Sequence, residues 1–469
     1  MTLPKLIYPA AVMLLTGSLF AQDSISGSFV GSVSGSFTGS VPTGTATQNP
    51  IKLSLADAIS RGMKTNLGAL VANQDVRSAQ PAHGIALSRL LPNITAGASE
   101  ESQQINLAAF GLSVPGFPKI VGPFGLTDAR VVASQSILNF KSIYNTRAAT
   151  AEQKAAALSA QDARDIVALV VTGLYLQIGT AASRIETGQV QVKAAQAVYD
   201  QASDFRKNGV VPAIEVLRAQ VELQTQQQRL ISYQSDLDKV KLRLARAIGL
   251  PDGQAFDVTD VIPYTPISSL KAEDAIARAY TARTDYQSAE EKVKAAELSR
   301  KAAEAGRLPT AEFNGNYGDI GPSLNNSHGT FAATVGVSVP LFQGGRVKSE
   351  VQQADAELER RKADLAELRG RIAYEIRAAY LDLDSAGRQT EVARNTIQLA
   401  DQQLTQSQDR FAAGVTGNLE VVQAQEAVAT ANENYISSLY VYNAAKATLG
   451  RSIGNAETSI PSILQGGIQ

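Results

Sequence analysis

The longest regular pattern of hydrophobic and polar positions lies between residues 344 and 449. From residue 346 to residue 411 the chain has no proline and is dominated by Ala, Glu, Gln, Leu and Arg, which favour helix. At about 1.5 Å per residue, such a helix is about 100 Å long. A glycine-containing break at residues 413–418 precedes a second helical stretch that continues to Leu449. The pattern predicts a very long helical hairpin.

The chain contains this hairpin twice. Residues 208–220 resemble residues 413–425, and both segments carry Gly-Val followed by Ile-Glu-Val or Leu-Glu-Val, at an offset of 414 − 209 = 205. Upstream, Leu-Pro at residues 91–92 matches Leu-Pro at residues 308–309. Internal repeats of this kind define the architecture. Each half therefore reads helix, Leu-Pro, two strands, long helix, glycine tip and helix.

Apolar residues recur every seven positions in the helix after each tip, as in the seam of a coiled coil. The first repeat has Val216, Leu223, Leu230, Leu237 and Leu244, and the second has Val421, Val428, Tyr435, Tyr442 and Leu449. An ordinary soluble coiled coil would give the same seam. Small residues on the other faces, such as Ala194, Ala197, Ala363 and Ala366, favour helices with neighbours on two sides, as in a tube.

A different period marks the short segments between the helices. In residues 331–339 every odd position is apolar and every even position is small or polar, and residues 312–317 alternate in the same way. This period of two predicts strands with one apolar face. We expect the polar residues Asn314, Asn316, Thr334 and Ser338 to face the lumen of a barrel. The alternative is a soluble sheet, whose apolar face would need a covering layer.

The strand lengths favour an outer-membrane β-barrel, because a membrane strand needs only about 9–11 residues with apolar side chains outward. We expect no helix after residue 21 to be apolar enough to span a bilayer. Four strands cannot close a membrane barrel, and an open edge in lipid leaves backbone groups without hydrogen bonds. Several copies must share the barrel. Two copies would give 8 strands with little lumen, and three would give 12 strands and a channel.

The N-terminus carries two further segments. Residues 1–21 have a basic residue, an apolar core and a small residue at the end, which is typical of a signal peptide. A membrane anchor is the alternative, although the apolar run is short for one. Residues 22–50 are rich in Gly and Ser, and residues 27–34 nearly recur as residues 35–42. This composition predicts a flexible tether, or else a short strand that pairs with another element.

The predicted organisation is listed here by residue number. The signal peptide (1–21) and the leader (22–50) precede a first repeat (51–250) with strands at 93–107 and 126–138 and helices at 54–90, 142–207 and 212–248. The second repeat (268–454) has strands at 310–319 and 329–341 and helices at 271–306, 344–412 and 418–449, and a tail follows (455–469). The fold class is α+β.

Composition excludes several classes of function. The formal net charge is −1, so no basic surface predicts nucleic-acid binding. The chain has no Cys and only two His, which lie in different repeats, so we expect no metal site and no cofactor. Neither a phosphate-binding loop of the Gly-x-x-x-x-Gly-Lys-Ser/Thr type nor a Gly-x-Ser-x-Gly nucleophile elbow occurs. An enzyme is therefore not expected.

The chain resembles the TolC-type outer-membrane efflux proteins from about Leu53 to Gly454. The matching pieces are Leu-Ala-Asp-Ala-Ile at residues 55–59, the two Leu-Pro pairs, Val-Pro-Leu-Phe-Gln-Gly-Gly-Arg at residues 339–346 and the paired tips. The resemblance implies a homotrimer with a 12-stranded outer-membrane barrel, four strands per protomer, continued by a periplasmic α-helical tunnel. It also implies a periplasmic adaptor protein and an inner-membrane transporter of the RND, ABC or MFS type as partners.

Two groups of site residues follow from the resemblance. Gly209, Val210 and Val211 in the first tip, and Gly414, Val415 and Thr416 in the second, match the turns that contact the adaptor. Glycine at a helix end is equally explained by capping. Glu215 and Glu420 fall where the family has acidic residues at the tunnel aperture, with Gln423 at a third position. An acid in the first turn of a helix is equally explained by the helix dipole.

Where the family has a Tyr and an Arg that hold the closed state, this chain has Phe411 and Thr416, so the closed state must rest on other contacts. We therefore expect a passive exit channel of a tripartite efflux pump or a type I secretion system, opened at its tips by the adaptor. The alternative is a periplasmic or surface coiled-coil binding protein without a pore. Neither the exported substrate nor the kind of pump follows from the sequence.

Overall fold

The computed structural model describes residues 36–111, 115–116, 118–260, 264–266 and 271–465. The predicted signal peptide (1–21) and the first part of the leader lie outside these residues. Within them, the elements in chain order are β1 (Ile51–Leu53), α1 (Leu55–Thr65), α2 (Leu67–Ser88), β2 (Asn93–Asn106), β3 (Ile120–Leu138), α3 (Phe140–Lys207), α4 (Ala213–Ala247), β4 (Phe256–Val258), α5 (Ala272–Ala282), α6 (Thr284–Glu304), β5 (Thr310–Gly321), β6 (His328–Ser338), α7 (Arg346–Ala412), α8 (Asn418–Ile453) and α9 (Ala456–Leu464).

Two helices dominate the molecule. α3 has 68 residues and α7 has 67, so each is about 100 Å long. α4 and α8, with 35 and 36 residues, return beside them. The side chain of Asn139 accepts a hydrogen bond from Ser142 N and caps the start of α3. The heptad residues at both ends of α4 are buried, which fits the predicted seam.

Two predicted helices are each interrupted. The sequence predicted one helix over 54–90, but α1 and α2 are separated by Asn66, which has an extended backbone. The predicted helix over 271–306 is likewise divided into α5 and α6 at Arg283. Both breaks are stabilised by tertiary contacts of the residue at the break, which helix propensity cannot indicate. The two positions are related by 283 − 66 = 217, the offset of the two Leu-Pro pairs.

The main sheet has four antiparallel strands in the order β2-β3-β5-β6. Strands from both repeats meet at its centre, where Ala133 pairs with Gly315. β3 begins at Ile120, earlier than the predicted 126, and β6 ends at Ser338, earlier than the predicted 341. β2 and β6 are the two edges of this sheet. β1 and β4 form a separate parallel pair.

The register of the sheet separates its two faces. Ala96, Val131, Tyr317 and Phe331 form one row across the four strands, and Ile94, Ala133, Gly315 and Ala333 form the next row on the same face. This face is apolar and open: Tyr317 is 69% exposed and Phe331 is 79% exposed. Residues between these rows point to the other face, which carries the polar residues.

The hydrophobic core lies around the middle of the long helices, in a region that we call the waist. One cluster joins α1, α3, α4 and α9 and contains Leu53, Ile59, Val167, Val171, Tyr175, Leu244, Ile248 and Ile460. A second cluster joins α5, α7 and α8 and contains Ile276, Ile372, Ile376 and Leu449. The Tyr175 hydroxyl donates to Leu53 O (3.0 Å) and accepts from Asp260 N (3.1 Å).

Packing at the waist corrects one prediction. Among the described helices, α3 contains a stretch that is long and apolar enough to cross a membrane by length and composition, although no such helix was expected after residue 21. Inside the protein, 61% of this stretch is buried. Its apolarity is explained by the core that surrounds it on the waist.

Residues 36–50, which we call the N-terminal arm, contradict the prediction of a free tether for this part of the leader. Phe37 packs against the first core cluster, and Ser40 forms an antiparallel bridge with Asn66. The alternative prediction, a short strand that pairs with another element, is closer, although the structure has a 3-10 turn at Ser36–Thr38 and a single antiparallel bridge instead of a strand. Thr is the commonest residue in this segment, and Phe37 is its one aromatic residue and packs against the core.

The predicted tail at 455–469 contains the helix α9. Ile460, Ile463 and Leu464 are buried against the waist. The buried Asp165 carboxylate accepts backbone hydrogen bonds at the start of α9, and burial raises its pKa to about 6. At the other end, Lys446 Nζ donates to Leu464 O (3.4 Å), and burial lowers the pKa of Lys446 to about 8.

Candidate functional site

The two hairpin tips have the same backbone geometry. In the first, Gly209 has φ +72°, Gly209 N donates to Arg206 O (3.0 Å) and Val210 N donates to Phe205 O (2.9 Å). In the second, Gly414 has φ +70°, and the equivalent bonds from Gly414 N and Val415 N are both 3.0 Å. A side chain at either glycine would meet no atom within 4 Å. Backbone conformation alone therefore requires these glycines.

Each tip exposes one apolar side chain. Val210 is 64% exposed and Val415 is 69% exposed, whereas Val211 and Thr416 are half-buried. The tips thus present a valine on a tight, glycine-dependent turn at the end of a hairpin about 100 Å long. Such a surface can dock against the apolar side chains of another helical hairpin.

Glu215, predicted at the aperture, is only 8% exposed. Its Oε2 accepts from Asn418 N (3.1 Å), its Oε1 accepts from Arg218 Nη1 (2.9 Å), and its backbone O accepts from Asn418 Nδ2 (2.6 Å). Glu215 at the start of α4 therefore caps the start of α8. This contact ties the tip of the first hairpin to the tip of the second.

Glu420, at the equivalent position of the second repeat, is half-buried and stays within its own hairpin. Its carboxylate lies 3.6 Å from Arg410 Nη1, near the end of α7. Gln423, one turn further along α8, is exposed. The three residues predicted for the aperture therefore have three different environments.

An apolar cluster lies directly behind the tips and joins the two hairpins. It contains Val198, Ala202, Val216, Ala219, Phe411 and Val421. Phe411 is buried, and its ring centroid is 5.6 Å from that of Phe205. Phe411 thus contributes packing at the position where a hydrogen-bonding Tyr occurs in the TolC-type family.

Further polar contacts between the repeats follow the helices away from the tips. Arg229 Nη2 lies 3.1 Å from Glu426, Arg184 Nε lies 3.1 Å from Glu433, and Gln177 Nε2 donates to the Tyr440 hydroxyl (3.0 Å). Sequence reasoning missed these pairs and the Glu215–Asn418 contact. Opposite charges at similar heights on α8 and on α3 or α4 were the available signal, but the helix faces that meet were not known.

The polar face of the sheet contains the four residues predicted to face a lumen. Asn314 pairs with Ser134 and Thr334, Asn316 pairs with Val132 and Ala332, and Ser338 pairs with Thr310. All four predicted residues lie on one side, opposite the row of Tyr317 and Phe331. Among the described residues, no group of three or more His, Asp or Glu side chains could hold a metal ion.

Comparison with known proteins gives a consistent result. The model of the family described as outer membrane efflux protein matches residues 65–250 and 275–455. The pyoverdine export outer membrane protein OpmQ of Pseudomonas putida is 25% identical over 391 residues, 80% of each chain. The alkaline protease secretion protein AprF of Pseudomonas aeruginosa is 24% identical over 57% of each chain. The crystal structure of the CmeC outer membrane channel of Campylobacter jejuni superposes with a TM-score of 0.74 and 16% identity, covering 98% of each chain.

Proposed function

The chain belongs to the outer membrane efflux protein family, and we propose that it is a passive exit channel opened at its periplasmic tips by an adaptor protein. The family match, the relatives and the solved channels place the protein in the outer membrane, with its helical part in the periplasm. Its fold is that of the TolC-like channels. The pore, the trimer, the gate and the partners are the proposal.

The observation that carries the proposal is the open four-stranded sheet. One face is apolar and exposed around Tyr317, Phe331 and Val335, and the edges β2 and β6 have no partner strand within the described chain. In lipid, an unpaired edge is prohibitive, and four strands cannot close a barrel. Three copies joined edge to edge give 12 strands with the apolar face toward lipid and the face of Asn314 and Thr334 toward a lumen.

The helices support the same assembly. Leu242 on α4 and Leu381 on α7 are 68% and 72% exposed in the single chain. Ile231, Val392 and Leu399 are exposed as well. Apolar residues on helices that already pack within their own hairpin need a second neighbour. Sister subunits on either side would cover them and close the helices into a tube.

The gate lies at the tips. The Glu215–Asn418 contact, backed by the Phe411 cluster, holds the second hairpin against the first, and we propose that it maintains the closed state. Glu215 is buried and both its carboxylate oxygens accept hydrogen bonds, so we propose an aperture ring without it. The proposed ring is therefore made by the three copies of Glu420, with Gln423 beside it. Such a ring favours cations.

The partners follow from the channel role. The exposed valines Val210 and Val415, with Gly209, Val211, Gly414 and Thr416 around them, would contact the adaptor and separate the tips. Energy would come from an inner-membrane transporter of the RND, ABC or MFS type, because no energy-converting site is proposed in this chain. The relatives include one named for export of pyoverdine and one named for secretion of a protease, so both roles remain within the proposal. A binding protein without a pore would leave the sheet unexplained.

Planar-bilayer recordings of the purified protein test this function with three variants. Glu215→Ala should raise the conductance of the resting channel, because the contact between the tips is lost. Glu420→Ala should lower the preference for cations with little change in resting conductance. Asp401→Ala, which removes an exposed carboxylate further up the same hairpin, is the control and should change neither. Absence of any conductance in all four proteins would exclude the channel.

A further inference from the structure

The N-terminal arm occupies a groove at the break between α1 and α2. The ring of Phe37 lies where a side chain at residue 68 would be, since a Cβ on Gly68 would come within 2.3 Å of it. Asn66, fully buried, donates from Nδ2 to Phe37 O (2.7 Å) and to Ala247 O (3.2 Å). Gly68 and Asn66 thus form a seat for one Phe and its carbonyl.

Further contacts in the groove use the arm's backbone and the Ser40 hydroxyl. Leu67 N donates to Gly39 O (2.9 Å), Val41 N donates to Thr65 O (2.9 Å), and the Ser40 hydroxyl donates to Arg246 O. A side chain at Gly39 would meet nothing within 4 Å. Recognition therefore needs a Phe within a single 3-10 turn, Ser36–Thr38, and a Ser three residues after that Phe, with the backbone groups of residues 39 and 41 free to bond the groove.

The chain contains this recognition sequence a second time. Residues 27–34 read Gly-Ser-Phe-Val-Gly-Ser-Val-Ser, and residues 35–42 read Gly-Ser-Phe-Thr-Gly-Ser-Val-Pro. The two segments differ only at the fourth and eighth positions, and Phe29 and Ser32 are the counterparts of Phe37 and Ser40. We propose that residues 27–34, which lie outside the described residues, are a second occupant of the same groove in the same chain.

Replacing one copy by the other in the groove shifts the arm by eight residues. With residues 36–42 seated, residues 43–50 connect the groove to β1 at Ile51. With residues 27–34 seated, the connection has sixteen residues, and doubling a loop changes the closure equilibrium by only about threefold. The shift also removes the bonds from Thr43 N to Gly249 O (3.2 Å) and from Thr47 N to Gln254 Oε1 (2.7 Å). The downstream copy is therefore the favoured occupant, and the upstream copy replaces it when the downstream one is displaced.

The exchange gives the arm an adjustable length. Eight residues move from one side of the groove to the other while the break between α1 and α2 stays covered. A pull on the downstream part of the arm then lengthens the connection to β1 without exposing Asn66 or the core behind Phe37. The groove acts as a peptide-binding site with two alternative ligands in one chain.

Hydrogen exchange at the Leu67 amide, read by mass spectrometry on the full-length protein in detergent, measures occupancy of the groove. Phe29→Ala should leave the exchange rate unchanged. Phe37→Ala should raise it modestly, by about the factor that separates the two occupants. Phe29→Ala with Phe37→Ala should raise it at least tenfold further, because neither copy can seat. Equal rates in Phe37→Ala and in the double variant would overturn the proposal.

A deletion gives a second, independent test. Removing residues 35–42 brings residues 27–34 into the seated register and restores the eight-residue connection, so the Leu67 amide should stay protected. The same deletion with Phe29→Ala should lose that protection, and a deletion that is unprotected by itself would contradict the proposal. Gly68→Ala, which closes the seat to both copies, should match the double variant while circular dichroism reports unchanged helix content.

The occupant could also come from a chain of another trimer, and dilution distinguishes this case. In Phe37→Ala, protection by residues 27–34 of the same chain is independent of protein concentration. A rate that rises when the protein is diluted in detergent would assign the occupant to a second copy and would refute the exchange within one chain.

Discussion

The two breaks at the waist have the same backbone and opposite chemistry. Asn66, between α1 and α2, is neutral and donates hydrogen bonds to two backbone carbonyls. Arg283, at the equivalent break between α5 and α6, is 3% exposed and donates to Asp285 (3.0 and 2.7 Å) and to Glu375 (2.6 Å). A break in a helix can thus be stabilised by a covering peptide or by a buried ion pair.

The segments beside the two breaks differ in the same way. The first break is covered by the N-terminal arm, which contains no charged residue between residues 36 and 50. Beside the second break, Gly454 approaches Ala282, and α9 follows directly with Asp165 at its start and Lys446 at its end. The first break therefore depends on shape and backbone hydrogen bonds, and the second depends on buried charge.

The largest effect is expected at Arg283. Arg283→Met leaves Asp285 and Glu375 without their main partner in a buried site, and it should destabilise the protein by about 3–5 kcal/mol. Asn66→Ala, the matched change in the first repeat, leaves two carbonyls short of a donor and should cost about 1–3 kcal/mol. Thermal melts by circular dichroism in detergent measure both.

Arg300→Met is the control for the loss of one cation, because the Arg300–Asp355 pair lies on the surface. Its melting temperature should not change measurably. If Asn66→Ala lowers the melting temperature more than Arg283→Met does, the contrast between the two breaks is refuted.

The pH dependence of stability beside the two breaks should come from α9 and not from the N-terminal arm. The pKa of Asp165 is raised by burial to about 6, so its contribution to stability is present at low pH and is lost as pH rises through 6. The pKa of Lys446 is lowered by burial to about 8. Its contribution to stability is therefore present above the pKa that Lys446 has in the unfolded chain, and it is lost as pH falls through 8. Docking of α9 should therefore be weakest between pH 6 and pH 8.

Hydrogen exchange tests this prediction. The exchange rates of α9 and of the N-terminal arm are measured from pH 5 to pH 9, corrected for intrinsic rates and compared. Asp165→Asn should remove the change in α9 exchange near pH 6, and Lys446→Met should remove the change near pH 8. An arm whose protection follows the same pH curve as α9 would contradict the difference between the two covers.

The smallest difference in stability between equivalent variants of the two repeats is expected at the hairpin tips, where the backbone geometry is the same. Gly209→Ala and Gly414→Ala each place a side chain in the left-handed region without any close neighbour, so each should cost about 1–2 kcal/mol. Melting temperatures of the two variants should fall by the same amount. Unequal shifts would mean that one tip carries a contact that the other lacks.

Sequence patterns were sufficient where a period decides the structure. The hairpins over 344–449 and the alternation at 331–339 follow from helix propensity and from the placement of apolar residues. The breaks at Asn66 and Arg283 could not be predicted in this way, because good helix formers lie on both sides and the cause of each break is a distant partner. The role of Phe37 could not be predicted from the Gly/Ser-rich leader, since composition does not show whether one side chain fits a particular groove.

The site shows the same division. Gly209 and Gly414 follow from the rule for helix ends, and their φ values agree with it. The role of Glu215 could not be predicted, because its partner Asn418 is 203 residues away and the pairing depends on how two hairpins pack. Equivalent positions in a repeat, such as Glu215 and Glu420, need not have equivalent environments.

The central claim is that the sheet β2-β3-β5-β6 is completed by sister subunits in lipid. Native mass spectrometry of the protein released from detergent micelles tests it most directly. The account predicts one species with three times the mass of the mature chain, retained after the detergent is removed in the gas phase. A stable single chain that stays soluble without detergent or lipid would contradict it.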